Sequence, residues 1–256
     1  MIHYKTREEV KTMAYGGAIL AEVLFEVLKH AKVGVSELEL DNLAETLIRK
    51  KGAEPGFQKV EGYKHSTCIS TNEVVVHGIP TEYRLKEGDV IGIDCGVYYK
   101  GFHTDAAHTV LVQKSKVKSQ KSGEADTFLK IGEKAMWEGI KAAKAGSRVG
   151  HISKTIQEIV EGSGYSVVRS LIGHGVGRDL HEEPEIPGFL GKDITKTLLL
   201  KEGMTIAVEV IYTIGRADVE YTRQDGWTIK TVDGSISGLF ERTIAITENG
   251  PVVLTK

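Results

Sequence analysis

The sequence predicts an α+β fold made of two duplicated halves, and three observations carry that prediction. Leu85-Lys86-Glu87-Gly88 leads through an apolar run to Asp94, and Leu200-Lys201-Glu202-Gly203 leads through a similar run to Glu209 at the matching position. A second echo, Ala31-Lys32-Val33-Gly34 against Ala143-Lys144-Ala145-Gly146, lies at nearly the same offset. Both halves also keep one order, two helical stretches followed by β-type segments. A period this long is a duplication closed into one domain and not a solenoid.

In the first half, Thr6 and Glu9 form a capping box ahead of apolar residues at helical spacing: Val10, Met13, Ala14, Ala18, Leu20, Ala21, Leu24, Phe25 and Leu28. Ser36 and Glu39 open a second helix carrying Leu38, Leu43, Leu47 and Ile48, and Gly52 stops it. Strands are predicted at residues 67–70, 74–76, 90–93 and 107–112. In the second half, helices are predicted over residues 128–145 and 151–162, the latter with Ile152, Ile156, Ile159 and Val160 on one face. Strands follow at residues 167–168, 205–210, 227–229 and 243–246. The halves span roughly residues 5–113 and 124–254 of a single domain covering residues 1–256. The lysine-rich stretch between them, residues 113–123, reads as a solvated connector or as a phosphate-binding strip.

Composition narrows the function. The 256 residues are 41% hydrophobic and 27% charged, as in soluble globular proteins. A net charge of −2 excludes a nucleic-acid surface covering the whole molecule. No apolar run approaches the roughly 18 residues of a membrane span, and no export signal precedes the first helix. Two cysteines, Cys68 and Cys95, exclude a disulfide framework and a four-thiolate zinc site. A cytoplasmic chain is expected.

The chemistry lies in acids placed where acids are costly. Asp94 ends an apolar strand, and Asp105 should return beside it through a hairpin whose turn holds Gly96 and Gly101. Two acids flanking a hairpin are usually surface charges. In a buried strand, however, an unpaired carboxylate stays protonated or unfolds the strand, unless a cation neutralises it. His174 sits in Gly173-His174-Gly175, read as a glycine-rich turn that lets backbone and ring approach a ligand closely. A lone histidine is otherwise a core or surface residue with a satisfied hydrogen bond. Glu209 and Glu241 each lie within or just before an apolar strand. Four carboxylates and an imidazole suit two divalent first-row ions better than one structural zinc. Paired ions of that kind activate water for hydrolysis.

These residues sit in longer motifs: Asn72-Glu73-Val74-Val75-Val76-His77-Gly78-Ile79-Pro80, Ile93-Asp94-Cys95-Gly96, Gly101-Phe102-His103-Thr104-Asp105, Gly173-His174-Gly175-Val176-Gly177, His181-Glu182-Glu183-Pro184 and Asp225-Gly226-Trp227-Thr228. Across residues 4–254 they resemble the type I methionine aminopeptidases of the M24 pita-bread metallopeptidases. The resemblance implies two pseudo-symmetric halves around a curved antiparallel sheet with helices outside. It implies that Asp94, Asp105, His174, Glu209 and Glu241 hold two divalent ions (cobalt, manganese, iron(II) or zinc), with Asp105 and Glu241 bridging. Glu209 would also carry the proton of the attacking water. His77 would contact substrate near the N-terminal amine and scissile amide, and His181 would polarise the scissile carbonyl. Phe57, Tyr63, Cys68, Leu180 and Trp227 would wall an apolar methionine pocket, although plain core packing is the simpler reading of such residues.

The implied substrate is a nascent polypeptide with N-terminal methionine, handled by a monomer in transient contact with the ribosome. The chain departs from the family pattern at four places. Val210 follows Glu209 where proline is usual, Arg242 follows Glu241 where histidine is usual, Leu180 stands for a frequent Phe and Phe57 for a frequent Cys. Two rivals share the fold: an Xaa-Pro aminopeptidase or prolidase, and a non-catalytic binding protein, whose kind has typically lost metal ligands.

Overall fold

The computed structural model describes residues 2–113, 120–222 and 224–256; most of the predicted lysine-rich connector lies outside them. Helix α1 (Arg7–His30) and helix α2 (Glu37–Lys50) begin at the predicted capping boxes, both fully formed. Thr6 Oγ1 accepts the Glu9 N–H while the Glu9 carboxylate accepts the Thr6 N–H, and Ser36 and Glu39 do the same. Each box satisfies amide groups that a helix start otherwise leaves without partners. The inward face of α1 differs in part from expectation. Ala18 and Phe25 are exposed, whereas Gly16, Gly17, Ile19, Val23 and Val27 are buried. The helix is apolar over a wide arc, so spacing alone does not choose the edge of its buried stripe.

The first half continues with strands β1 (Glu54–Pro55), β2 (Thr67–Thr71), β3 (Val74–Val76), β4 (Val90–Tyr99) and β5 (Phe102–Leu111). The second contains α3 (Gln120–Ala142), α4 (Val149–Glu161), β6 (Ser166–Val167), β7 (Gly173–Gly175), β8 (Glu182–Ile186), β9 (Thr205–Thr213), β10 (Val219–Tyr221), β11 (Ile229–Thr231), β12 (Ser237–Thr247) and β13 (Gly250–Val253). Helix α3 thus starts inside the stretch expected as connector. Strand β4 pairs with β1, β2 and β5, and β9 pairs with β12, β6 and β7. A small sheet, β10-β11-β3, joins strands from both halves. Every pairing is antiparallel.

Alternation along these strands sorts apolar from acidic side chains. Ile91, Ile93 and Val97 of β4 pack with Leu20, Leu24 and Leu40 of the first two helices. Val208, Val210 and Tyr212 of β9 pack with Phe128, Ile152 and Ile156 of α3 and α4. Asp94 and Glu209 fall between those residues and therefore face away from the helices. A third apolar cluster draws on both halves, with Val76 and Ala107 against Ile211 and Leu239.

The halves meet where β5 lies along β12. Here two threonine hydroxyls stand in for a backbone ladder. Thr243 Oγ1 accepts the Asp105 N–H (2.9 Å) and donates to the Asp105 carbonyl (2.8 Å). Thr109 Oγ1 does the same for Leu239, accepting its N–H at 2.9 Å and donating to its carbonyl at 2.7 Å. Register sets a limit on the duplication. Glu209 faces Glu241 directly across β9 and β12, but Asp94 faces Ala107, with Asp105 opposite Gly96. The second acid of each half is therefore offset by two residues.

Replacing Thr243 with valine keeps the shape and strands a buried N–H and a buried carbonyl of Asp105. Chemical denaturation should show a loss of about 1–3 kcal/mol. A loss below about 0.5 kcal/mol would contradict the bridging role.

Candidate metal centre and pocket

All twelve side chains singled out in the sequence line one cavity of about 100 Å³ at the junction of the halves. Two of the local structures that deliver them differ from expectation. Gly96 belongs to β4, and the hairpin turn is Lys100-Gly101, both in the left-handed region at φ 46° and 91°. The stretch around His174 is strand β7 and not a turn. Its glycines serve close approach: a Cβ on Gly175 would lie 2.2 Å from the Glu183 carbonyl oxygen.

Asp105 and Glu241 are buried, and each could place a carboxylate oxygen within 4.8 Å of the other and of a His174 ring nitrogen. Asp94 interacts with Asp105 through their carboxyl groups. Glu209 Oε1 lies 3.5 Å from His174 Nε2. His174 Nδ1 is 2.8 Å from the Gly175 carbonyl, which only accepts, so Nδ1 carries the proton and Nε2 presents a lone pair. An imidazole lone pair thus faces a carboxyl oxygen, an arrangement that repels unless a proton or a metal cation lies between them.

The electrostatics agree. Burial pushes Asp94 up to about 7. Burial, followed by the charges of neighbouring acids, pushes Asp105, Glu209 and Glu241 well above the usual carboxylate range. Burial, then His181, lowers His174 to about 3. Asp94 Oδ1, Asp105 Oδ1 and Glu241 Oε1 are buried without a hydrogen-bond partner among the described residues. Orphaned carboxylate oxygens beside one imidazole nitrogen fit hard or borderline divalent cations.

Two of the four departures from the family pattern, Val210 and Arg242, have local accounts. Val210 is wholly buried opposite Phe240, and the ladder between β9 and β12 runs unbroken through it, which holds Glu209 without a proline. Arg242 Nη1 donates to the Ala107 carbonyl (2.9 Å) and to the Glu241 carbonyl (2.6 Å). Its guanidinium also lies over the rings of Phe25 and Trp137. That side chain clamps β5 to β12 beside Glu241, and it shares the half-exposed Phe25 that apolar spacing placed in the core.

The rest of the cavity is apolar. Phe57, Tyr63, Cys68 and Leu180 are buried together, with Trp227 packed against them. Tyr63 meets Phe57 and Trp227 edge to face, at 6.3 Å and 5.2 Å between ring centroids. Its hydroxyl donates to the Thr67 carbonyl at 2.7 Å and lies 3.1 Å from Cys68 Sγ. Asp41, buried at the start of α2, accepts hydrogen bonds from the Ser66 and Thr67 amides and from the Thr67 hydroxyl, fixing this wall from behind. Val76, from the motif that carries His77, also lines the cavity, as do Val60 and Leu239, which no motif marked.

His77 and His181 stand at the cavity as well, their protonated forms disfavoured chiefly by burial. His77 has φ 55°, a conformation that costs a non-glycine residue about 1–3 kcal/mol and clusters at functional sites. The rings of His174 and His181 are 4.4 Å apart between centroids.

Comparison with known proteins agrees with this geometry. Residues 11–248 match the model of metallopeptidase family M24. A methionine aminopeptidase of Clostridium perfringens is 42% identical over 255 residues, covering all of this chain and 99% of the relative. Methionine aminopeptidase 1 of Bacillus subtilis is 43% identical over the full length of both. The crystal structure of a methionine aminopeptidase from Thermotoga maritima superposes with a TM-score of 0.93 at 39% identity, each chain fully covered. A prolidase from Pyrococcus furiosus reaches 0.75 at 27% identity, with 99% of this chain and 65% of the prolidase covered. The fold is the pita-bread fold of these enzymes, and the chain belongs to metallopeptidase family M24, within its type I methionine aminopeptidases.

Proposed function

We propose that this chain is a metal-dependent aminopeptidase that removes the initiator methionine from nascent proteins and peptides. The observation that carries the reading is one cavity with two unlike ends, a cluster of under-ionised carboxylates and a small apolar pocket. A cavity of about 100 Å³ is on the scale of one side chain. A site that admits one terminal side chain beside the acid cluster favours the end of a chain over its middle.

Each residue then has a task. Phe57, Tyr63, Cys68, Leu180 and Trp227 hold the unbranched thioether. Two divalent ions held by Asp94, Asp105, His174, Glu209 and Glu241 supply Lewis acidity that eases deprotonation of water at neutral pH. Glu209, whose burial raises its proton affinity, takes the proton of the attacking water and hands it to the departing amine. His181 donates to the scissile carbonyl as charge builds on its oxygen, and burial keeps the ring neutral for that purpose. His77 contacts the substrate amide from the other side. The two halves act as a single catalytic unit because each supplies part of the acid cluster.

We further propose that the enzyme is a cytoplasmic monomer. The described residues contain no helix long and apolar enough to cross a membrane. A transient ribosome contact through the lysines of residues 114–121 would extend the reading, and salt-sensitive co-sedimentation tests it.

Peptides beginning Met-Ala-Ser should lose methionine, Xaa-Pro peptides should be poor substrates, and Asp105→Ala should be inactive. Faster release from Xaa-Pro would favour the prolidase reading, and a wild type that binds no metal and cleaves nothing would favour a binding protein. His181→Ala should lower kcat by about 10²–10³. Carboxylates that hold protons near neutrality must release them to a cation, so apparent metal affinity should rise from pH 6 to pH 8. Calorimetry in buffers of different ionisation enthalpy should then register proton release, and a buffer-independent heat would contradict this.

A further inference from the structure

His181 and Leu180 sit on a loop, residues 176–181, between strands β7 and β8, and nothing in the catalytic cluster explains what holds that loop. The restraint comes from the far end of the sequence. Lys5 lies just before α1, and its side chain is 3% exposed, an unusual state for lysine. Its ammonium pairs with Glu182 Oε2, and the Glu182 side chain is itself 5% exposed. The other oxygen of Glu182 accepts the backbone N–H of Arg178 at 2.7 Å and of Asp179 at 3.2 Å. One carboxylate thus ties the loop backbone to the lysine. The Lys5 N–H donates to the Gly203 carbonyl at 2.7 Å, anchoring the same residue to the turn that leads into β9 and Glu209.

Two further contacts belong to this arrangement. Arg178 Nη2 reaches Glu9 Oε1 on the first turn of α1 at 3.0 Å. Gly177 leaves room for the lysine: a Cβ there would lie 2.3 Å from Lys5 Cε and 2.4 Å from Nζ. The Gly177 carbonyl also accepts the His103 N–H at 2.6 Å, two residues from Asp105.

We infer that Lys5 is a positioning residue for the reaction: through its buried ion pair with Glu182, the N-terminal segment latches the loop that presents His181 to the scissile carbonyl. The inference rests on the functional reading above. A hydrogen bond that matters in the transition state depends on placement to a fraction of an ångström, and a shift of about 1 Å costs as much as 10²-fold in rate. Without the ammonium, the buried carboxylate of Glu182 loses its counter-charge and draws toward solvent, carrying the loop with it.

The test is kcat on a methionyl peptide with metal saturating, for Lys5→Met alone and in the His181→Ala background. Lys5→Met should lower kcat about 10- to 100-fold with unchanged metal affinity, and Lys5→Arg should restore most of it. In the His181→Ala background the same substitution should change kcat by less than about twofold, because the two residues act as one unit. A general loss of structural integrity would instead reduce kcat equally in both backgrounds. Should Lys5→Met fail to fold, Gly177→Ala makes the same test, since its Cβ would press on both partners of the ion pair, the end of Lys5 and Glu182 Oε1 at 2.8 Å, and keeps every charge. An equal loss with and without His181, or kcat within twofold of wild type for the single variant, overturns the inference while leaving the aminopeptidase reading intact. A metal-loaded wild type that releases no methionine overturns both.

Discussion

Everything in this structure accommodates one repulsion, that of four largely buried carboxylates facing one another in a single cleft. Burial raises the proton affinity of Asp94, Asp105, Glu209 and Glu241, and the charges of neighbouring acids add to it for the last three. Three of their oxygens have no partner among the described residues. A polypeptide keeps such a cluster only if the surrounding fold over-determines it. Here the restraint is a double one, an apolar face of each half-sheet sealed by helices and a seam between halves closed by two threonine hydroxyls. The Arg242 guanidinium, bonded to carbonyls on both sides of that seam, adds a third tie next to the acids.

The duplication explains how the cluster is assembled from ordinary parts. In each half a strand alternates, apolar residues toward the helices and an acid away from them, so two copies facing each other place acids in one cleft. The copies are not interchangeable. Glu209 and Glu241 sit directly across a ladder, whereas Asp94 and Asp105 sit diagonally. The second half alone contributes His174 and the loop with Leu180 and His181, and the first contributes His77 and most of the apolar pocket wall. A symmetric frame therefore carries an asymmetric site, with acids at one end and a hydrophobic slot at the other.

Much of this was legible in the sequence. The capping boxes at Thr6 and Ser36 fixed two helix starts, because that signal is local and does not depend on tertiary contacts. The acids at the ends of apolar runs pointed to a buried charged cleft, since few other fates are open to them. Less legible were features decided by contacts between distant segments. Gly96 and the glycines beside His174 looked like turn formers, but they lie in strands where another backbone or ring passes close by. Phe25 had core spacing yet stands half exposed over the Arg242 guanidinium. Lys5, the bridging threonines and Asp41 carry no local signature: each matters only for a partner many residues away.

The central claim is that these five side chains converge to hold divalent cations. Anomalous scattering from crystals grown with manganese or cobalt addresses it most directly. The account predicts two strong peaks inside the cleft bounded by Asp94, Asp105, His174, Glu209 and Glu241. Metal-loaded, active crystals with no peak in that cleft would contradict it.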